Sequence, residues 1–290
     1  ASVGALEGTY NTMLGYSAGY SLTTGGSNVL IGGLSADSLT TGGLNVAIGV
    51  NSLGVNQTSN RNVAVGYQTL AAQNSDGDIY NTAVGYQAGV SVTSGDKNTL
   101  IGGSAGDSLT TGGKNIALGY EALSTEVAAV GNIAIGHEAL KSSNDADANY
   151  NIAIGFEAME NCTAPGEKNI AIGYEAIDAG GVTGNHLIAI GAGALGVGAV
   201  STGSTVAIGN DALRALTSGA KNVGIGYQSG MSTTTQGNNT YIGYESGELA
   251  TSANNTFIGA QSGKGTSSGA TGDNNTAIGY VAGYLFNGAA

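Results

Sequence analysis

The sequence predicts an all-β fold, a parallel β-solenoid of about sixteen rungs, and three observations carry that reading. A pentapeptide, Asn-x-x-aliphatic-Gly, recurs sixteen times at spacings of 16 to 20 residues, most often 17, and such a period is the mark of a repeat architecture. Gly accounts for 52 of 290 residues, Pro for one and Trp for none, with only 10% charged residues, far from an ordinary globule. The residues between Asn and Gly are β-rich triplets such as Val-Ala-Ile and Thr-Tyr-Ile, with no helical spacing of apolar positions.

A Gly-rich chain can also be disordered or collagen-like. A hydrophobic content of 41% gives enough apolar surface to offset chain entropy, which excludes simple disorder. The absence of a Gly-X-Y period and the single Pro165 exclude a triple helix. The domain organisation follows: one repeat domain over 1–290, with a partial rung at 1–10, sixteen rungs over 11–283 and an end segment at 284–290.

The first position of the repeat is Asn in fourteen copies: Asn11, Asn28, Asn45, Asn62, Asn81, Asn98, Asn115, Asn132, Asn151, Asn169, Asn222, Asn239, Asn255 and Asn275. Leu187 and Thr205 stand there in the other two. Stacked at the strand spacing of roughly 4.8 Å, these residues predict an amide ladder bonded to itself and to turn backbone. Position 4 is always Ile, Leu or Val, position 5 always Gly, and position 8 always Ala, Ser or Thr.

Positions 2 to 4 read as one short strand, Gly at 5 as a bend, positions 6 to 9 as a second short strand, and the remainder as loop with turn chemistry such as Thr-Thr-Gly-Gly. Alternation along the first strand sends positions 2 and 4 one way and position 3 the other. With position 4 placed in the coil interior, the mostly Ala stripe at position 3 faces out, and an apolar stripe of that length calls for self-association. The alternative is a flattened coil with position 3 inside.

Position 6 is Tyr in eight copies: Tyr16, Tyr67, Tyr86, Tyr120, Tyr174, Tyr227, Tyr244 and Tyr280. An aromatic column of this kind serves packing along the stack, or presents faces to sugars. Asp76, Asp78, Asp145 and Asp147 sit in two longer loops and are weak calcium candidates, with solvated loop tips as the plainer reading. His137 and His186 lie in different rung contexts, and no acid pair, nucleophile or metal motif points to catalysis or to a cofactor. Position 2 is Thr in six copies only, which breaks the rank that ice binding needs.

The formal charge of −12, with scattered Lys and Arg, argues against nucleic acid as a partner. Without a run of 18 apolar residues, membrane insertion is not expected, and the first residues, ASVGALEGTYN, carry no signal-peptide pattern. The lone Cys162 can form no intrachain disulfide.

The repeats NVAIG, NIAIG and NTAIG, each followed three residues later by a small residue, resemble the head repeats of YadA-like trimeric autotransporter adhesins, and similar repeats of bacteriophage tail fibres. The resemblance covers Asn11 to Gly283. It implies a left-handed β-roll, a homotrimer, and an extracellular, cell-surface or virion-fibre location with attachment to a host glycan or protein receptor. The spacing here is longer than the family's usual coil, and no heptad stalk or membrane barrel is present in the sequence. The expected function is a non-catalytic fibre or adhesin module; the alternative is a self-polymerising extracellular filament subunit.

Overall fold

The structure is a computed structural model that describes residues 8–142, 148–162, 166–201, 203–265 and 272–285. Its described residues are all-β, with no helix, and wind into a parallel β-solenoid. The chain divides into two compact units, 1–146 and 147–290.

The first unit contains β1 (Thr12–Leu14), β2 (Val29–Ile31), β3 (Val46–Ile48), β4 (Ser59–Asn60), β5 (Val63–Val65), β6 (Gly77–Asp78), β7 (Thr82–Val84), β8 (Thr99–Ile101), β9 (Ile116–Leu118) and β10 (Ile133–Ile135). Its three-residue strands stack in chain order, each parallel to the next, while β4 and β6 pair separately. The second unit stacks β11 (Ile152–Ile154), β12 (Ile170–Ile172), β13 (Ile188–Ile190), β14 (Val206–Ile208), β15 (Val223–Ile225), β16 (Thr240–Ile242), β17 (Thr256–Ile258) and β18 (Thr276–Ile278) in the same way. Register follows the repeat: Val46 lies on Val63, Ala47 on Ala64 and Ile48 on Val65.

Two expectations are corrected. Position 3 is the inward position, not the outward one: Leu30, Ala47, Leu100, Ala171, Tyr241 and Phe257 are fully buried. Positions 2 and 4 face out, and none of them is buried among the described residues. The reason lies in volume, because a narrow coil accepts a column of mostly Ala side chains where it would not accept a column of Ile.

Positions 6 to 9 form a turn rather than a second strand. Positions 7 and 9 adopt the left-handed conformation in every rung, by Gln68 (φ 53°) and Leu70 (φ 48°) for example, and so does the residue before the ladder Asn, such as Arg61 (φ 61°). Such residues cost roughly 1–2 kcal/mol each when not Gly. They are held by bonds to both neighbouring rungs: the Gln68 N–H donates to the Val50 carbonyl (2.9 Å) and the Leu70 N–H to the Ala88 carbonyl (3.1 Å).

The interior is filled by exchange between two positions of one rung. Where position 3 is Ala, position 9 is usually large, as in Ala64 with Leu70 or Ala171 with Ile177. Where position 3 is large, position 9 is small, as in Leu100 with Gly106, Tyr241 with Gly247 and Phe257 with Gly263. A third inward column, not read from the sequence, runs through Leu22, Leu39, Val92, Leu109, Cys162 and Leu216.

The Asn ladder is present and has a direction. Each Asn Oδ1 accepts the backbone N–H of the next ladder residue, at 2.8 Å from Asn98 to Asn81 and 3.0 Å from Asn115 to Asn98. In several rungs its Nδ2 donates to a loop carbonyl fourteen residues on, as from Asn98 to Gly112 (3.0 Å), whereas the buried Nδ2 atoms of Asn239 and Asn255 have no hydrogen-bond partner. These groups are buried, so Asn98→Ala leaves a donor and an acceptor unmatched and is expected to cost about 2–4 kcal/mol. Thr205 breaks the ladder, and its buried hydroxyl has no partner. Thr205→Asn is accordingly expected to gain about 1 kcal/mol. Urea unfolding of both variants followed by circular dichroism checks the pair of signs.

Candidate functional site

Two exposed features flank the position 5 glycine in each rung. The first is the outer sheet face. Position 4 is aliphatic in all sixteen copies and position 2 is Val or Ile in ten, so consecutive strands present continuous aliphatic columns. Ile101, Ile116, Leu118 and Ile190 are between 36% and 42% exposed, well above what a sheet face packed on a core shows.

The second is the aromatic column at position 6, whose rings stack between neighbouring rungs. Ring centroids lie 5.5 Å apart for Tyr67 and Tyr86, 5.7 Å for Phe156 and Tyr174, and 5.3 Å for Tyr227 and Tyr244, with planes within 12°. His137 stacks on Tyr120 at 5.5 Å. Tyr16 and Tyr280 are still more exposed, at 81% and 79%.

Acids at position 7 run beside the column. Tyr120, Tyr174 and Tyr244 each hydrogen-bond the following glutamate, Glu121, Glu175 or Glu245, which raises the phenol pKa. Lys141 bridges Glu121 (2.6 Å) and Glu138 (2.9 Å). Lys264 bridges Glu245 (2.5 Å) and Glu248 (2.8 Å), and its hydrogen bond, with one from Gln261, pulls the Glu245 carboxyl down to about 2.

Of the loop acids, Asp76 accepts a hydrogen bond from the Thr58 hydroxyl. Asp78 is ion-paired with Arg61 (3.0 Å); desolvation opposes its charge, yet hydrogen bonds from Arg61 and Asn60 leave its pKa below the ordinary value. Asp145 and Asp147 lie outside the described residues. His186 holds the left-handed position before Leu187. Cys162 is fully buried, its Sγ–H donates to the Ile177 carbonyl, and burial raises its pKa.

The structure adds a cleft that the sequence reading missed. In the rung of β13, positions 6, 7 and 10 are Ala192, Gly193 and Gly196, where the rungs on either side carry Tyr174 and Asn210, Glu175 and Asp211, and Asp178 and Arg214. The space they leave is a cleft of about 160 Å³. Its signal in the sequence was this triple loss in one rung, visible only once those positions are known to point outward together. No protein-family profile matches the chain, and a search of curated proteins finds no match.

Proposed function

We propose that the chain is a non-catalytic structural module of an extracellular fibre or adhesin, assembled by burying the outer sheet face against further copies of itself. Three copies about a common axis, in the left-handed roll that the repeat resemblance implies, is the arrangement we favour. The observation that carries the assembly is the pair of aliphatic columns at positions 2 and 4. Covering such a face is worth roughly 25 cal/mol for each Å² removed from water, and closed symmetry covers it on every copy alike. Attachment to a host or surface receptor is supported by the resemblance and by the aromatic column beside that face.

Multi-angle light scattering tests the assembly. The intact chain is expected to be a trimer, and the triple variant Ile172→Asp, Ile190→Asp, Ile208→Asp is expected to be a monomer with an unchanged β spectrum. A monomeric intact chain at micromolar concentration would sink the proposal. Threads of indefinite length in electron micrographs would replace the discrete trimer with the filament alternative.

A further inference from the structure

We propose that the cleft beside β13 is a carbohydrate site, which takes a neutral N-acetylhexosamine ring in the place of the missing tyrosine. The Tyr174 ring is stacked on Phe156 by one face and borders the cleft, with Ala192 in the next rung leaving its other face uncovered. Rungs repeat at about 4.8 Å, so the slot between Tyr174 and Asn210 spans two steps, or about 10 Å. The six-membered pyranose ring has about the outline of a phenol ring, its substituents reaching the walls, and the weakly positive C–H face of the sugar suits the negative face of the tyrosine.

The walls supply what sugar hydroxyls need. Glu175 and Asp211 offer acceptors, Arg214 offers donors, and Asn210 offers both. The Asn210 Nδ2 donates to the Ala192 carbonyl at 3.2 Å, which fixes the amide and leaves its oxygen and second N–H for a ligand. A Cβ on Gly193 would lie 2.7 Å from the Asp211 Oδ1, so the missing side chain is what lets that carboxylate stand in the cleft. Arg214 holds the same oxygen at 3.4 Å.

Charge and shape narrow the ligand. Two carboxylates against one guanidinium disfavour an anionic sugar. An adjoining groove of about 390 Å³ shares Val197 and Arg214 with the cleft and adds Ala215, Met231 and Ser232, an apolar recess suited to an N-acetyl methyl group. Two other gaps in the column are covered, while at Gly33, whose next residue is Leu34 and not an acid, a Cβ would meet nothing within 4 Å. At Gly103, Tyr120 leans to 3.4 Å from where a Cβ would stand, and beside Ala260 the side chains of Gln261 and Lys264 close on Glu245.

This site supplies the receptor class for the attachment reading, while its binding can be scored without reference to assembly. Saturation-transfer NMR and calorimetry on the intact chain would use N-acetylglucosamine and N-acetylgalactosamine, with glucose and galactose as controls. At least one N-acetylated sugar is expected to bind saturably and more tightly than its parent hexose. Ala192→Tyr restores the residue that eight other rungs carry and is expected to weaken binding at least tenfold with the fold intact. Tyr174→Ala should also lose about tenfold, whereas Tyr174→Phe, which keeps the ring, should stay within about threefold. Failure of both N-acetylated sugars to bind, or unchanged binding by Ala192→Tyr, overturns the site. The aspartate variants of the outer face should bind sugar as the intact chain does, so failure of assembly and failure of the site are read separately.

Discussion

Gly102→Ala is expected to destabilise the first unit by about 4 kcal/mol or more, at the upper end of what single substitutions do. Two independent obstacles combine there. The backbone has φ +139°, a conformation open to glycine and strained for any L side chain. A Cβ would also stand 2.1 Å from the carbonyl oxygen of Gly119 in the next rung. Because that oxygen belongs to a stacked backbone, relief requires the two rungs to part. Gly33→Ala is the matched control: it has no neighbour within 4 Å of a new Cβ and no positive φ, so its effect should stay within about 0.5 kcal/mol. Urea unfolding, with limited proteolysis to locate the opening, separates the two. Near-equal midpoints would refute the steric account of the glycine column.

The second large effect is a coupling between Phe257 and Gly263. Phe257→Ala empties a fully buried position and is expected to cost about 3–5 kcal/mol. Gly263→Leu drives a side chain into the ring, because its Cβ would lie 2.2 Å from Phe257 Cδ2. The backbone is no obstacle, since Leu70, Leu123 and Leu213 hold the same left-handed position in other rungs. The double variant recreates the Ala and Leu pairing of those rungs and should recover most of the loss, with a coupling energy of about 3 kcal/mol. Additive losses in the double-mutant cycle would show that the two positions do not share one volume.

The rung and its period were legible because every rung repeats the same local demands: Gly where a second carbonyl comes close, Asn where a buried donor and acceptor need matching. The inward side of the strand was not legible. Alternation says only that position 3 opposes positions 2 and 4, and both stripes are apolar. What decides is cross-section, which depends on Leu70 or Leu123 at position 9 entering from the turn, and the turn was misread as a strand. Its left-handed residues include Gln68, Glu121, Leu70 and Ser104, which carry no sign of that conformation on their own, so the Gly at position 9 of seven rungs was not read as its mark. The aromatic column was visible because Tyr is rare and recurrent. The cleft at Ala192 was not, because it consists of side chains that are missing.

The Asn ladder has a consequence for how the coil is made. The amide oxygen reaches forward, from Asn81 to Asn98 and from Asn98 to Asn115, so a completed rung displays an acceptor that the succeeding stretch of chain satisfies. The bonding of the ladder thereby acquires an arrow running from amino to carboxyl side, the order in which a ribosome releases the chain. A rung that has just emerged meets a surface already spelling out its conformation, including the left-handed turns it would not adopt alone. Such a surface is suited to growth by copying of a preceding layer, familiar from crystals.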